Sequence, residues 1–257
     1  MANFEINQVT KVYSGTSQTK TLENINLTIS DGEFLCLLGP SGCGKSTLLE
    51  ILAGLQQPTS GTIYLDNEPL KTPNKKLGFV FQDASLYPWR TIFENVGLGL
   101  EIQGINSSER NERVQKYLEM VGLSGFENKY PHQLSGGMRQ RAGIARALAN
   151  NPEVILMDEP FGAVDYLTRI QLQNDLLAIW KKEKKTIIFV THDIAEAVLL
   201  GDRVVLLTAR PGKIKKIFTI PKERPRRRED LELLKIQNEI YAAIYEVKTE
   251  ADMEYNI

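Results

Sequence analysis

Residues 39–47 read Gly39-Pro40-Ser41-Gly42-Cys43-Gly44-Lys45-Ser46-Thr47, the spacing Gly-x4-Gly-Lys-Ser/Thr, and no other stretch constrains the fold as tightly. The apolar run Phe34–Leu38 precedes it directly and the helix-like stretch Thr47–Ala53 follows. Strand, glycine loop and helix in that order let backbone N–H groups wrap a polyphosphate while the helix turns its positive end toward it. Lys45 is then placed to reach the β- and γ-phosphates, and the Ser46 hydroxyl to ligate Mg2+.

Three more runs read as buried strands: Val154–Asp158, Thr186–Thr191 and Arg203–Thr208. They alternate with longer periodic segments, which is the pattern of a layered α/β fold with a largely parallel sheet. Between about 100 and 150 the texture turns helical, with Glu109–Val121 and Gly137–Asn150 periodic, so a helical insertion into the α/β core is predicted. The N-terminal stretch Phe4–Leu65 alternates like antiparallel strands, at Phe4/Ile6, Leu22/Ile25/Leu27/Ile29 and Thr62/Tyr64. The predicted divisions are 1–82, a β subdomain with the first part of the core, then 83–152, a helical subdomain, 153–220, the second part of the core, and 221–257, a tail. In that tail the basic run Pro221–Arg228 reads as a solvated linker, followed by a polar helix to about Tyr245.

With 31 Lys+Arg against 32 Asp+Glu in 257 residues, the chain has neither the basic footprint of a nucleic-acid binder nor a disordered acidic tail. No apolar run approaches the roughly 18 residues of a spanning helix. The first residues lack the pattern of a secretory signal, so the cytosol is the expected compartment. Cys36 and Cys43 are too few to staple a chain of this size, and no Cys/His cluster has metal-ligand spacing.

The run Val154-Ile155-Leu156-Met157-Asp158-Glu159 ends an apolar strand in two carboxylates, and the C-terminal edge of an open α/β sheet is where ligands bind. Asp158 suits Mg2+; Glu159, pointing elsewhere, suits a general base that polarises the attacking water. Leu134-Ser135-Gly136-Gly137-Met138-Arg139-Gln140-Arg141 opens a long helix with Ser-Gly-Gly, a second helix terminus suited to an anion about 90 residues after the first. One lysine-bearing loop already encloses a triphosphate, so this second terminus needs another explanation.

Here the sequence resembles the nucleotide-binding subunit of ATP-binding cassette (ABC) transporters, whose signature LSGGMRQR matches; the resemblance runs from about residue 4 to 220. It implies a P-loop NTPase core of RecA-like type with an N-terminal antiparallel β subdomain and an inserted helical subdomain. It also implies a head-to-tail dimer, homodimer or pair of cassettes, in which Ser135, Gly136, Gly137 and Gln140 of one copy close on the γ-phosphate of ATP bound by the other. On the same footing, Gln82 resembles the glutamine that senses Mg2+ and the γ-phosphate, and His192 the switch histidine that orients the water. Tyr13 stands where an aromatic stacks on adenine, and Asp165 resembles the acid lining the dimer seam, with Val164 in place of the usual Leu.

Finer resemblance points to importers of the nitrate, sulfonate and taurine class, through Leu86–Thr91, Phe161–Arg169, Thr208–Ile214 and Pro221–Arg228. The family resemblance also implies a separate transmembrane permease, which this chain meets from the cytoplasmic side of the membrane through Tyr87 and Trp89, and indirectly a substrate-binding protein. The alternative is a soluble ABC-type ATPase not involved in transport, but such proteins usually carry two cassettes or a coiled-coil insertion. A GTPase is disfavoured because Asn74-Lys75-Lys76-Leu77 lacks the Asp that reads guanine.

Overall fold

The computed structural model describes residues 3–14, 18–162 and 164–255, with side chains described to 247. Ala163, inside the run Phe161–Asp165, lies outside the described residues. Two compact units emerge, Met1–Asn74 with Thr186–Ile257, and Lys75–Lys185.

The first unit carries β1 (Phe4–Tyr13), β2 (Thr19–Ile29), β3 (Phe34–Leu38), α1 (Lys45–Leu52), β4 (Ser60–Leu65) and β5 (Glu68–Pro69). Strands β1, β2, β4 and β5 form an antiparallel sheet in the order β2-β1-β4-β5. In β1 Phe4 and Ile6 are buried while Glu5 is exposed, the alternation of a sheet with one covered face. Every residue of β3 is buried, as a parallel strand covered on both faces must be.

The lone element order of the second unit comes next in the chain: β6 (Leu77–Val80), α2 (Ile92–Ile102), α3 (Ser107–Met120), α4 (Gly136–Ala149), β7 (Val154–Asp158) and α5 (Tyr166–Glu183). Strands β6 and β7 pair in parallel, and α2, α3 and α4 pack on one another. Leu148, Met157, Phe161, Leu172, Leu176 and Ile179 share one apolar cluster, which joins α4, β7 and α5. The unit therefore begins before 83 and runs past 152: β6, β7 and α5 pack with the helices that the sequence alone suggested were an insertion.

The first unit resumes with β8 (Thr186–Val190), α6 (Ile194–Leu200), β9 (Arg203–Leu207), β10 (Ile214–Thr219) and α7 (Leu231–Tyr255). Strand β3 lies between β8 and β9 and is parallel to both, and β10 runs antiparallel to β9.

One expectation fails. The run Pro221–Arg228 is not a solvated linker: Lys222, Arg224, Arg226 and Arg228 turn partly inward while Pro221, Glu223, Pro225 and Arg227 face out. Arg224 and Arg226 donate to backbone carbonyls around the end of α6, acceptors the helix itself cannot satisfy.

Candidate functional site

In the first unit β3 delivers the chain into the loop 39–47 at its C-terminal end. Gly44 is the N-cap of α1 at φ 100, and Gly42 sits at φ 74, conformations that an L side chain resists. A Cβ on Gly44 would also lie 2.7 Å from Leu22 Cδ2 and 3.1 Å from the Thr21 carbonyl oxygen. The loop is thus pressed against β2 and has room there only for glycine. Lys45 is buried, and its ammonium donates to the carbonyls of Gly39 at 2.8 Å and Pro40 at 3.0 Å, which curls the loop round it. Arg210 Nε donates to the Gly42 carbonyl at 3.0 Å, a further brace that the sequence did not signal.

Ser41, Gly42 and Ser46 are exposed, Gly39, Pro40 and Thr47 half-buried, and the Cys43 thiol is buried, which raises its pKa. Strand β3 carries this loop beside β8, in a register that pairs Leu37 with Val190, so His192 leaves the same edge of the sheet. His192 is exposed between Thr191 and Asp193. Tyr13, at the end of β1, is 38% exposed, and its hydroxyl donates to Gln56 Oε1 at 2.7 Å. That much exposure leaves the residue able to present its ring as a stacking platform.

In the second unit β6 and β7 pair Val80 with Met157, so Gln82 and the pair Asp158–Glu159 leave neighbouring parallel strands at one edge. Asp158 is buried and Gln82 exposed. Glu159 has φ 45, a left-handed backbone that costs a non-glycine residue on the order of 1–3 kcal/mol and is concentrated at functional sites.

Ser135 caps α4, its hydroxyl accepting from Met138 N at 3.3 Å; Gly136 is exposed beside it and Gly137 half-buried. Gln140, grouped with them in the sequence reading, turns inward instead. It is 3% exposed and donates to the Phe81 carbonyl at 3.0 Å, so it braces the chain that leads to Gln82. Asp165 caps α5 and is exposed, and hydrogen bonds from the Thr168 side chain and then from the Thr168 backbone N–H hold its carboxyl below the usual range.

Trp89 is 70% exposed and touches Tyr87 edge-on at 5.2 Å between ring centroids, so the pair does not plug a core. The residue that sequence reasoning missed is Asn95. Wholly buried in α2, it accepts from Tyr87 N and donates to the carbonyls of Tyr87, Arg90 and Thr91, pinning the turn that presents Trp89. Its signal was a lone Asn amid the apolar residues of a helix.

The chain matches the ABC transporter family model over residues 22–162. It is 54% identical over 237 residues to an uncharacterised ABC transporter ATP-binding protein of Methanocaldococcus jannaschii, covering 92% of this chain and 89% of that one. The aliphatic sulfonates import ATP-binding protein SsuB of Bacillus cereus (strain ZK / E33L) is 45% identical over 236 residues, covering 91% of this chain and 93% of its own. Among solved structures, the dimeric post-hydrolysis state of the ATP-binding cassette MJ0796 bound to ADP and Pi superposes with a TM-score of 0.79 at 38% identity. It covers 86% of this chain and all of the other. The chain belongs to the ABC transporter family, as an ATP-binding cassette that hydrolyses ATP to power transport.

Proposed function

We propose that this chain is the ATP-hydrolysing subunit of an importer, that it dimerises on ATP, and that it drives a separate permease from the cytoplasmic side of the membrane. The observation that carries the reading is the pair of unlike helix termini in one chain. The α1 terminus is enclosed and carries a lysine; the α4 terminus is exposed behind Ser135. Head-to-tail pairing gives the second terminus its ligand, and the similar cassette MJ0796 is described as dimeric.

Lys45 and the loop amides hold the ATP phosphates, Tyr13 the adenine, and Ser135, Gly136 and Gly137 act from the other copy, with Asp165 at the seam. Ser46, Gln82 and Asp158 offer a hydroxyl, an amide oxygen and one carboxylate. This hard oxygen set suits Mg2+, which is usually held by one or two carboxylates together with substrate phosphates. When bound, the ion supplies neutralisation of phosphate charge. Glu159 takes the proton of the attacking water and His192 orients that water.

Tyr87 and Trp89 form the contact with the permease, supported by the exposure of Trp89 and by the rigid turn beneath it. The cargo is a small anion such as nitrate, a sulfonate or taurine, delivered by a substrate-binding protein; the import activity in the name of the Bacillus relative supports the class. A mixing experiment tests the arrangement. Lys45→Ala subunits mixed with Ser135→Arg subunits, in a complex that exchanges subunits, should regain ATPase activity above either parent, because one site then has both halves intact. A mixture of wild type with Lys45→Ala calibrates turnover from a single site. If it turns over and the first mixture never exceeds its parents, the trans arrangement is overturned.

A further inference from the structure

Helix α6 is seven residues long, too short to be stable in isolation. Its first turn flanks His192. Thr191 Oγ1 donates to Glu196 Oε2 at 2.5 Å, Asp193 N donates to Thr191 Oγ1 at 3.0 Å, and Asp193 Oδ1 accepts from Glu196 N at 3.1 Å. Both chain neighbours of His192 are therefore bonded into α6, and where α6 sits decides where His192 sits.

The other end of α6 has no left-handed glycine cap: Gly201 is extended, at φ −78 and ψ 148. Its last carbonyls are met by arginines 24 to 28 residues further along the chain. Arg226 Nη1 donates to the carbonyls of Val198 at 3.0 Å, Leu199 at 3.3 Å and Gly201 at 2.6 Å, and Arg224 Nη2 donates to that of Leu200. The same Arg226 guanidinium reaches back to the carbonyls of Lys222 and Ile220, so the segment that carries it is tied down as well.

Arg224 Nη1 also donates to Asp202 Oδ1 at 2.5 Å, while Asp202 Oδ2 accepts from Phe34 N at 2.9 Å, at the start of the strand that leads to the phosphate loop. Cations at a helix C-terminus are favoured by its dipole as well as by the open carbonyls. Burial, and then the charge of Arg224, bring the Arg226 pKa down to about 10, which leaves it charged at neutral pH.

We propose that Arg226, with Arg224 beside it, is a positioning residue for His192: as the C-cap of α6 it fixes the helix that holds His192, and so makes the C-terminal segment part of the hydrolytic switch. The inference rests on the reading of His192 as the residue that orients the water. It gives the basic run a task within its own unit.

The composition supplies the probe, because the chain has two histidines and the other, His132, belongs to the second unit. In full-length protein labelled with 13C at histidine, Arg226→Ala should move the His192 ring resonance and leave that of His132 in place. In the same variant kcat for ATP should fall at least about tenfold, since a displacement of ~1 Å at a reacting group costs on the order of a hundredfold, while ATP affinity stays within about twofold.

If Arg226→Ala does not fold, Arg226→Lys carries the same test, because a point charge cannot fork between the α6 carbonyls and those of Lys222 and Ile220, which the Nη1, Nε and Nη2 of the guanidinium reach separately. An unmoved His192 resonance, or a kcat unchanged beside a moved one, overturns the proposal and leaves Arg226 a structural staple. A fall in ATP affinity as large as the fall in kcat overturns it too. Wild-type turnover in His192→Ala would remove the switch reading itself, and with it the kinetic half of the proposal; the resonance then decides separately whether Arg226 holds His192.

Discussion

The starts of α1 and α4 solve the same local problem in opposite ways. Every helix begins with N–H groups that have no partner in the helix. At α1 the cap is Gly44, which brings no side chain, and the next residue, Lys45, is buried against the carbonyls of its own loop. At α4 the cap is Ser135, which satisfies Met138 N itself, and the two glycines after it stay accessible. The first terminus is shaped in advance as a cradle, and the second is stable as it stands and merely presentable. A chain holding one of each fits the division of labour proposed above, with the substrate held by one copy and closed upon by another.

The largest effect should come from separating nucleotide binding from chemistry. Glu159→Gln keeps the side chain's shape and removes its basicity, so turnover should fall at least about a hundredfold while ATP still binds, the scale on which general-base catalysis operates. Stopped turnover with intact nucleotide affinity, measured by an ATPase assay beside a binding titration, sharpens the comparison. Wild-type turnover breaks the assignment of Glu159.

Next come the glycines, which ought to respond oppositely. Gly44→Ala puts a Cβ at φ 100 and 2.7 Å from Leu22 Cδ2, so a loss of about 1–3 kcal/mol in stability and a marked loss of ATP binding are expected. Gly136→Ala meets only Arg139 Nη2, at 3.8 Å, and should leave the melting temperature level or slightly higher, because alanine favours helix by about 1 kcal/mol over glycine. Equal losses in the two variants, followed by thermal melts, would erase the distinction between a cradle and an open end.

How much of this was legible depended on how local the signal was. The runs of β3 and β7 and the loop 39–47 declare themselves in consecutive residues, and the structure gives both strands the bounds read from sequence. Helix α5 was missed because its buried apolar residues, Leu172, Leu176 and Ile179, share the helix with buried Gln173 and exposed Leu167, which blurs the stripe. Arg224 and Arg226 were misread because a run of charges in a sequence has solvation as its default, and the carbonyls they meet lie 24 to 28 residues earlier. Asn95 bonds within 8 residues, yet a side chain that holds a turn looks like any polar residue until the turn is seen.

A smaller effect is expected on the face of the second unit that carries Trp89. Trp89→Ala removes a ring that is 70% exposed, so the isolated chain should melt and bind ATP as wild type does. Association with the permease should weaken by about 2 kcal/mol or more, the scale of an interfacial aromatic anchor. A collapsed melting temperature would assign the ring to packing, and an unchanged permease affinity would take Trp89 out of the interface.

The smallest effect belongs to the cap of α4 and bears most directly on the comparison. Ser135→Ala takes away the oxygen that accepts from Met138 N, and loss of such a cap costs about 1 kcal/mol. Ser135→Gly should cost only a few tenths, since glycine tolerates the cap conformation and leaves the amide open to water. Neither change touches the cradle at α1, so nucleotide affinity of a single copy should stay at its wild-type value in both. ATP-driven dimerisation should weaken in both variants alike, because each lacks the hydroxyl that the proposed trans site uses. The two readouts then come apart: stability distinguishes Ala from Gly, whereas association groups them. If dimerisation instead follows stability, weak in Ser135→Ala and normal in Ser135→Gly, then Ser135 acts only by holding the start of α4 in shape, and the second terminus is a capped helix end and no more.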